Sequence, residues 1–379
     1  MARLGDVCEI VSGTTPKSNV PEYWDGDINW VTPAELDDDS SVIYESERKI
    51  TEQAVKDSSL KSFPVGTVLL SSRAPIGKVA IAGVEMYCNQ GFKNLICSDE
   101  IYNKYLFWFL RGKTDFLNFL GRGATFKEIS KSIVENIEIP LPSIPEQRHI
   151  AEVLDKLGDL ISLRKQQLAK LDELVKARFV EMFGDGDYPY QDLIELIVKD
   201  AGLSYGIVQP GDDGTGDMGV IRPVDLVDGG ISISSIKYID RHIGDSFKKT
   251  ELAGNELLIT VRGTTGITAL TDNRFSGMNV TRGIAVIRYD TTKINPIYLN
   301  EYFKTSTSQN YIQERTRGAT LQQINLSDLR AQPILVPPRT VQNIFANFVE
   351  QMNNFKLTIQ QSLDKLKVLK KALMQEYFG

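Results

Sequence analysis

The sequence predicts a mixed α/β chain: two globular α+β domains separated by two long antiparallel helices that form a coiled-coil spacer, built from an internal tandem repeat with pseudo-two-fold symmetry. Three observations predict it. Two long stretches carry apolar residues at alternating three- and four-residue spacing, a set of motifs recurs at a nearly constant offset, and short apolar runs alternate with glycine and proline turns.

The first long stretch runs from Glu146 to Gly184. Ile150, Val153, Leu157, Leu160, Leu171 and Leu174 fall along one helical stripe. Pro145 stands just before it, where a helix start accepts proline, and Gly158 is the sole glycine inside. A shift of 195 positions carries Phe183-Gly184 onto Phe378-Gly379 and the stripe onto Phe345, Phe348, Met352, Phe355, Leu366 and Leu369. A helix of about 35 residues is roughly 52 Å long, too long for the interior of a small domain. These twelve residues are therefore expected to pack the two helices on each other and on partner proteins.

The repeat extends upstream. Ile139-Pro140-Leu141-Pro142 with Glu146-Gln147 matches Ile334-Leu335-Val336-Pro337 with Val341-Gln342, each reading as a buried strand, a proline elbow and a helix start. Arg122-Gly123-Ala124-Thr125 matches Arg317-Gly318-Ala319-Thr320 at the same offset. Further back the offset is 189, pairing Leu69-Leu70-Ser71-Ser72-Arg73-Ala74-Pro75-Ile76-Gly77 with Leu258-Ile259-Thr260-Val261-Arg262-Gly263-Thr264-Thr265-Gly266. Each reads as a strand, a turn with one arginine, and another strand. At 190, Trp30 to Leu36 matches Val220 to Leu226.

The predicted order is a globular domain over residues 1–145, a helix over 146–184, a second domain over 185–337 and a second helix over 338–379. Domain termini tend to lie close together, so the second helix should begin near the end of the first and run back along it. Gly379 then returns near Met1.

At 379 residues, 42% hydrophobic and 24% charged, the chain can build sizeable cores. The start, Met1-Ala2-Arg3-Leu4-Gly5-Asp6, lacks a charged-then-apolar leader, and the densest apolar run, Tyr105 to Leu110, is far shorter than a membrane span. A soluble, cytoplasmic protein with no membrane partner is expected. Cys8, Cys88 and Cys97 show no CxxC spacing, which points to buried free thiols and to no metal site.

The net charge is −6, with 22 basic and 27 acidic residues up to Gly184. Phosphate binding therefore requires a local basic face backed by acidic surface such as Asp37-Asp38-Asp39.

No catalytic set is visible. The chain has two histidines, His149 and His242, neither within a nucleophile arrangement. Gly214-Thr215-Gly216-Asp217-Met218-Gly219 fits GxGxxG but precedes a strand instead of opening a helix, so it reads as a loop. Asn295-Pro296-Ile297-Tyr298 is similar to the Asn-Pro-Pro-Tyr signature of adenine methyltransferases but lacks the second proline and a cofactor loop; it reads as a helix start with core aromatics. Pro75-Ile76-Gly77-Lys78 fails as a phosphate loop, because Ser72 stands at the first glycine and Val79 follows the lysine.

In this duplicated order, with Leu4-Gly5-Asp6-Val7 at the start, the chain resembles the specificity subunit of a type I DNA restriction-modification system. The resemblance covers the whole length, although the second elbow, Pro337-Pro338-Arg339-Thr340, departs from the Pro-Glu-Gln ending of the first. It implies two target-recognition domains, each reading one half of a split double-stranded DNA sequence in the major groove, with a helical spacer fixing the gap. It also implies two docked methyltransferase (modification) subunits and restriction (translocase/nuclease) subunits. S-adenosylmethionine, ATP and Mg would belong to those partners, with no cofactor and no catalysis on this chain.

Base edges are read by Arg, Lys, Asn, Gln and Thr presented on loops. The candidates are Arg73 with Lys78, and Arg262 with Thr264 and Thr265; then Arg122, Thr125 and Lys127, and Arg317, Thr320, Gln322 and Gln323; then Thr14, Thr15 and Lys17, and Arg222 in the second copy. Against each stands the reading of a solvated hairpin. The aromatic run Tyr102, Tyr105, Phe107, Trp108 and Phe109 has the helical spacing of core. Two other functions stay open: a reader fused to a divergent methyltransferase, and a coiled-coil scaffold for protein partners, which the negative charge favours.

Overall fold

A computed structural model of the chain describes residues 1–37, 41–73, 75–122, 127–184, 186–199, 203–209, 211, 216–227, 230–318 and 322–379. It divides into two compact units, Met1–Leu168 with Ile359–Gly379, and Ala169–Thr358. Two 40-residue helices, Ile144–Phe183 and Arg339–Phe378, contribute to both, and their ends correspond at the 195 offset.

In the first unit a five-stranded sheet runs in the order Cys8–Ser12, Phe92–Cys97, Val68–Ser71, Val79–Ala82, Val42–Ile43. All neighbours are antiparallel except the last pair. Val68–Ser71 and Val79–Ala82 are buried throughout, as continuous apolar runs covered on both faces should be. The second unit repeats the central strands: Leu257–Thr260 pairs antiparallel with Thr268–Leu270 and with Ile284–Ile287. The turn between the paired strands ends in each copy on a glycine with positive φ, +91° at Gly77 and +89° at Gly266, which explains why glycine recurs there.

A further short pair closes each unit onto its helix, Ala2–Arg3 with Glu138–Ile139 and Tyr190–Asp192 with Pro333–Leu335. The proline elbow follows directly. Gln147 and Gln342, both fully buried, sit in the first turns of the long helices. Gln147 Oε1 accepts from the Tyr102 amide at 2.8 Å while its Nε2 donates to Glu100 O and Pro142 O. Gln342 Oε1 accepts from the Asn295 amide at 2.7 Å and its Nε2 donates to Pro337 O. The second elbow thus anchors as the first does, despite its different sequence.

The aromatic run is core, with Tyr105 through Leu110 all buried on helix Asn103–Gly112. Tyr105 and Tyr298 donate their hydroxyls to Pro140 O and Leu335 O at 2.9 and 2.8 Å, again repeat partners.

In the first unit the early turns of the first long helix, at Ile150, Ala151 and Leu154, share this core with the last turn of the second, at Phe378, whose ring lies 5.1 Å from Tyr105. In the second unit the last turns of the first helix, at Phe179 and Phe183, meet the early turns of the second at Phe345. Within each unit the two helices are antiparallel.

The predicted stripe needs correction. Ile150, Leu157, Phe345 and Met352 are buried, and Val153, Leu171, Phe348 and Leu366 are partly buried. Leu160, Leu174, Phe355 and Leu369 are exposed, at 44, 47, 57 and 48%. Each stands one position before the residue that faces inward. A 3.6-residue helix drifts past a fixed three-and-four count, so the stripe passes to Ile161 and the buried Val175. In the second helix the inward positions are lysines: Lys356 pairs with Asp172, and the ammonium of Lys370 lies 4.5 Å from the Trp108 ring centroid. An apolar count passes over lysines whose stems are buried.

Candidate nucleic-acid interface

In the first unit the arginine turn and the glycine loop, 50 residues apart, meet. Arg122 and Glu128 close the base of the loop with two backbone hydrogen bonds, 3.0 and 2.9 Å, and the Ile129 amide donates to Ser72 O at 2.9 Å. The side chains complete the junction, with Arg73 Nε donating to Glu128 Oε2 at 3.0 Å.

Lys93 comes up from the strand behind, its Nζ 3.3 Å from Glu128 Oε1 and 3.4 Å from Ser72 Oγ. Burial pushes the Glu128 carboxyl up, but the hydrogen bonds from Arg73 and Lys93 outweigh it and leave the carboxyl below its ordinary value.

The second unit repeats the construction. Arg317 and Gln323 exchange backbone hydrogen bonds at 2.8 Å each, Ile324 donates to Val261 O, and Arg262 Nε donates to Gln323 Oε1 at 2.6 Å. The strand position of Lys93, opposite Leu70, is occupied by Ala285, opposite Ile259.

A second loop joins the same end of the first unit. The Thr14 amide donates to Cys88 O and Thr15 Oγ1 hydrogen-bonds Gln90 Oε1, while the Ser72 amide donates to Gly91 O beside it. The exposed Lys17 holds Trp24 Nε1 through its carbonyl oxygen. Thr14, Thr15, Lys17, Arg73, Arg122 and Lys127 are all exposed.

In the second unit Thr264, Arg317 and Gln322 are exposed, and Arg262 and Gln323 are partly buried in the junction. Thr125 and Thr320 lie outside the described residues, as do Asp38, Asp39, Gly214 and Thr215.

Three candidates are turned inward. Thr265 is 3% exposed and shares a hydroxyl hydrogen bond with Thr316 at 3.0 Å. Lys78 donates its ammonium to Leu36 O. Arg222 forms a 2.9 Å ion pair with Asp225, which is fully buried, and donates to Ser235 O, while the Asp225 carboxylate accepts from the Arg222 amide at 2.8 Å and so caps the short helix Pro223–Asp225. Thr32 and Glu35 make the corresponding cap in the first unit. An arginine in a turn looks alike in sequence whether it faces solvent or a buried carboxylate.

One candidate was missed. Arg282, exposed, stands in Thr281-Arg282-Gly283, the segment that matches Asn89-Gln90-Gly91 at an offset of 192. Gly283 O accepts from Val261 as Gly91 O accepts from Ser72. Comparing the strand ends at that offset would have found it.

Cys8 and Cys88 are buried and Cys97 partly so, and burial pushes the Cys88 thiol up to about 12. The Asn295 side chain caps helix Pro296–Phe303, accepting from the Ile297 and Tyr298 amides, and Met218-Gly219 lies in a strand. Among the described residues no three His, Cys, Asp or Glu gather as metal ligands, and no helix is long and apolar enough to cross a membrane.

A family model described as the type I restriction modification DNA specificity domain matches residues 1–173 and 213–369, one segment on each copy of the repeat. The specificity subunit of the type I restriction enzyme MjaIX from Methanocaldococcus jannaschii is 31% identical, over 98% of this chain and 90% of its own. The EcoBI specificity subunit from Escherichia coli is 24% identical over 73% and 64%. Among solved structures, one from work on the assembly and conformational transition of the type I R-M system has a TM-score of 0.58 at 18% identity, covering 99% of this chain and 96% of that one. The type I restriction-modification S subunit from M. genitalium gives 0.56 at 15%, covering 100% and 95%.

Proposed function

The chain belongs to the type I restriction-modification DNA specificity family, and from that membership we propose that it is the sequence-reading subunit of such a complex. Each unit binds one half of a split double-stranded DNA target in the major groove. The observation that carries this is the duplicated junction: in both units an arginine turn and a glycine loop, far apart in sequence, are joined beside exposed Arg, Lys, Thr and Gln side chains. Such side chains can reach base edges and phosphates while the sheets behind them hold register.

The long helices set the gap between half-sites and dock two methyltransferase subunits. Their exposed apolar side chains, Leu160, Leu163, Leu174 and Val180 on the first and Phe355, Leu357, Val368 and Leu369 on the second, suit a protein partner better than water. Restriction subunits join the same complex. S-adenosylmethionine, ATP and Mg reside on those partners, this chain performs no chemistry, and the complex works in the cytoplasm.

Exchange of residues 190–335 for another family member's second domain tests the reading. Methylation mapped in cells should change in one half-site and stay fixed in the other; alteration of both halves would contradict it.

A further inference from the structure

The two junctions differ in one coordinated way. In the first unit the buried Lys93, the carboxylate of Glu128 and the guanidinium of Arg73 form one cluster, while in the second Ala285 and the neutral Gln323 accompany Arg262. Both clusters carry the same net charge of +1: the additional cation in the first is matched by an additional anion. In both, the arginine is held through Nε. Among the described residues, neither Nη of Arg73 nor of Arg262 makes a hydrogen bond, and neither guanidinium stacks on a ring.

An acceptor aimed at Nε fixes the plane of the guanidinium and leaves the two terminal amino groups side by side, facing away from the acceptor. That is a fork for two acceptor atoms on one ligand, such as phosphate oxygens or the O6 and N7 of guanine.

We infer that Glu128 and Gln323 are positioning residues for DNA recognition, presenting Arg73 and Arg262 as preset forks that donate through both Nη atoms to an acceptor pair on the DNA of their own half-site. This rests on the DNA-reading function proposed above. Lys93 has a supporting part: it supplies the charge that lets a carboxylate take the place of the second unit's amide without cancelling the arginine's net charge.

The identity of the second residue matters for affinity because an unheld arginine must lose rotamer freedom on binding, and the tie has already removed it. Glu128 thus acts through Arg73 and should contribute nothing once Arg73 is gone.

The test uses the full chain assembled with its methyltransferase subunits, binding to the duplex target by fluorescence anisotropy, with methylation mapping in cells as a second readout. R73A should weaken binding by about tenfold, within the range measured for one bidentate contact. E128A should lose a similar factor, and R73A/E128A should be no worse than R73A alone. K93A/E128Q, which installs the second unit's pair in the first, should recover most of the E128A loss.

Relaxation of one base in the first half-site by R73K would assign the fork to guanine; uniform weakening with an unchanged motif would assign it to phosphate. Full affinity in R73A, or additive losses in R73A/E128A, would overturn the inference. Circular dichroism melts separate misfolding from lost contact, and the second unit's R262A and Q323A pair gives an independent copy of the test. If the unaltered complex fails to bind its duplex, the function itself falls, an outcome distinct from a bound complex that ignores R73A.

Discussion

Asp225 has no exposed side-chain surface, and among the described residues its counter-charge is Arg222. R222A would strand that carboxylate, at a cost of about 3 kcal/mol, while leaving the methylated motif unchanged. Urea unfolding and motif mapping on the same variant check both halves of that expectation. Gln147 makes a similar case, since Q147A removes the partner of the Tyr102 amide and of the Glu100 and Pro142 carbonyls and should cost about 1–3 kcal/mol by the same measurement. Glu128 adds a pH dependence. Its folded pKa is depressed, so the tie stabilises above the ordinary carboxylate range and is lost as pH falls through the folded value. Thermal melts stepped from about pH 6 to pH 3 should fall more steeply for the natural chain than for K93A/E128Q, the difference cancelling the other carboxylates. Parallel curves would mean that Glu128 is not tied. The sequence exposed Arg73 and Arg262 as repeat partners, because a turn with one arginine at a fixed offset stands out. It did not expose the inward roles of Arg222, Lys78 and Thr265, which depend on which atoms lie across from them in three dimensions.

For the long helices, existence, matching length and pairing were readable, because the apolar spacing persists and the 195 offset preserves both ends. Which residues face inward was half readable. Phe378, which marked only the repeated Phe-Gly ending, packs on Tyr105 and Phe109, whereas Phe355, placed on the stripe, is 57% exposed. F378A should therefore cost about 3–5 kcal/mol in urea unfolding, and F355A should lie within about 0.5 kcal/mol of the unaltered chain. The reverse order would reject the inward face assigned here. The strands on either side of each arginine turn were legible as apolar runs, whereas Phe92–Cys97 and Ile284–Ile287, which pair with them, were not read. Of the closing pairs, the strands at Ile139 and Ile334 were read before their proline elbows, but their partners Ala2–Arg3 and Tyr190–Asp192 were not, because two or three residues carry no periodic signal.

At the scale of the whole chain, duplication is the organising fact: each unit carries its own core, elbow and arginine junction, with the long helices common to both. Half-site spacing follows protein geometry, so matched insertions of whole turns into both helices should widen the gap between half-sites without altering either half. A motif whose gap is indifferent to such insertions would remove the spacer role. The bases read by each unit are not legible, since the exposed side chains around each junction, to which the proposed function assigns the reading, stand on loops with no periodic pattern to constrain them.

The most direct measurement is to co-express the chain with its methyltransferase subunits in a host free of DNA methylation and to map modified bases across the host genome. A split motif with a fixed gap, absent when this chain is omitted, is the predicted result. An assembled, active methyltransferase that modifies the same bases with or without the chain, or none in either case, would contradict the account.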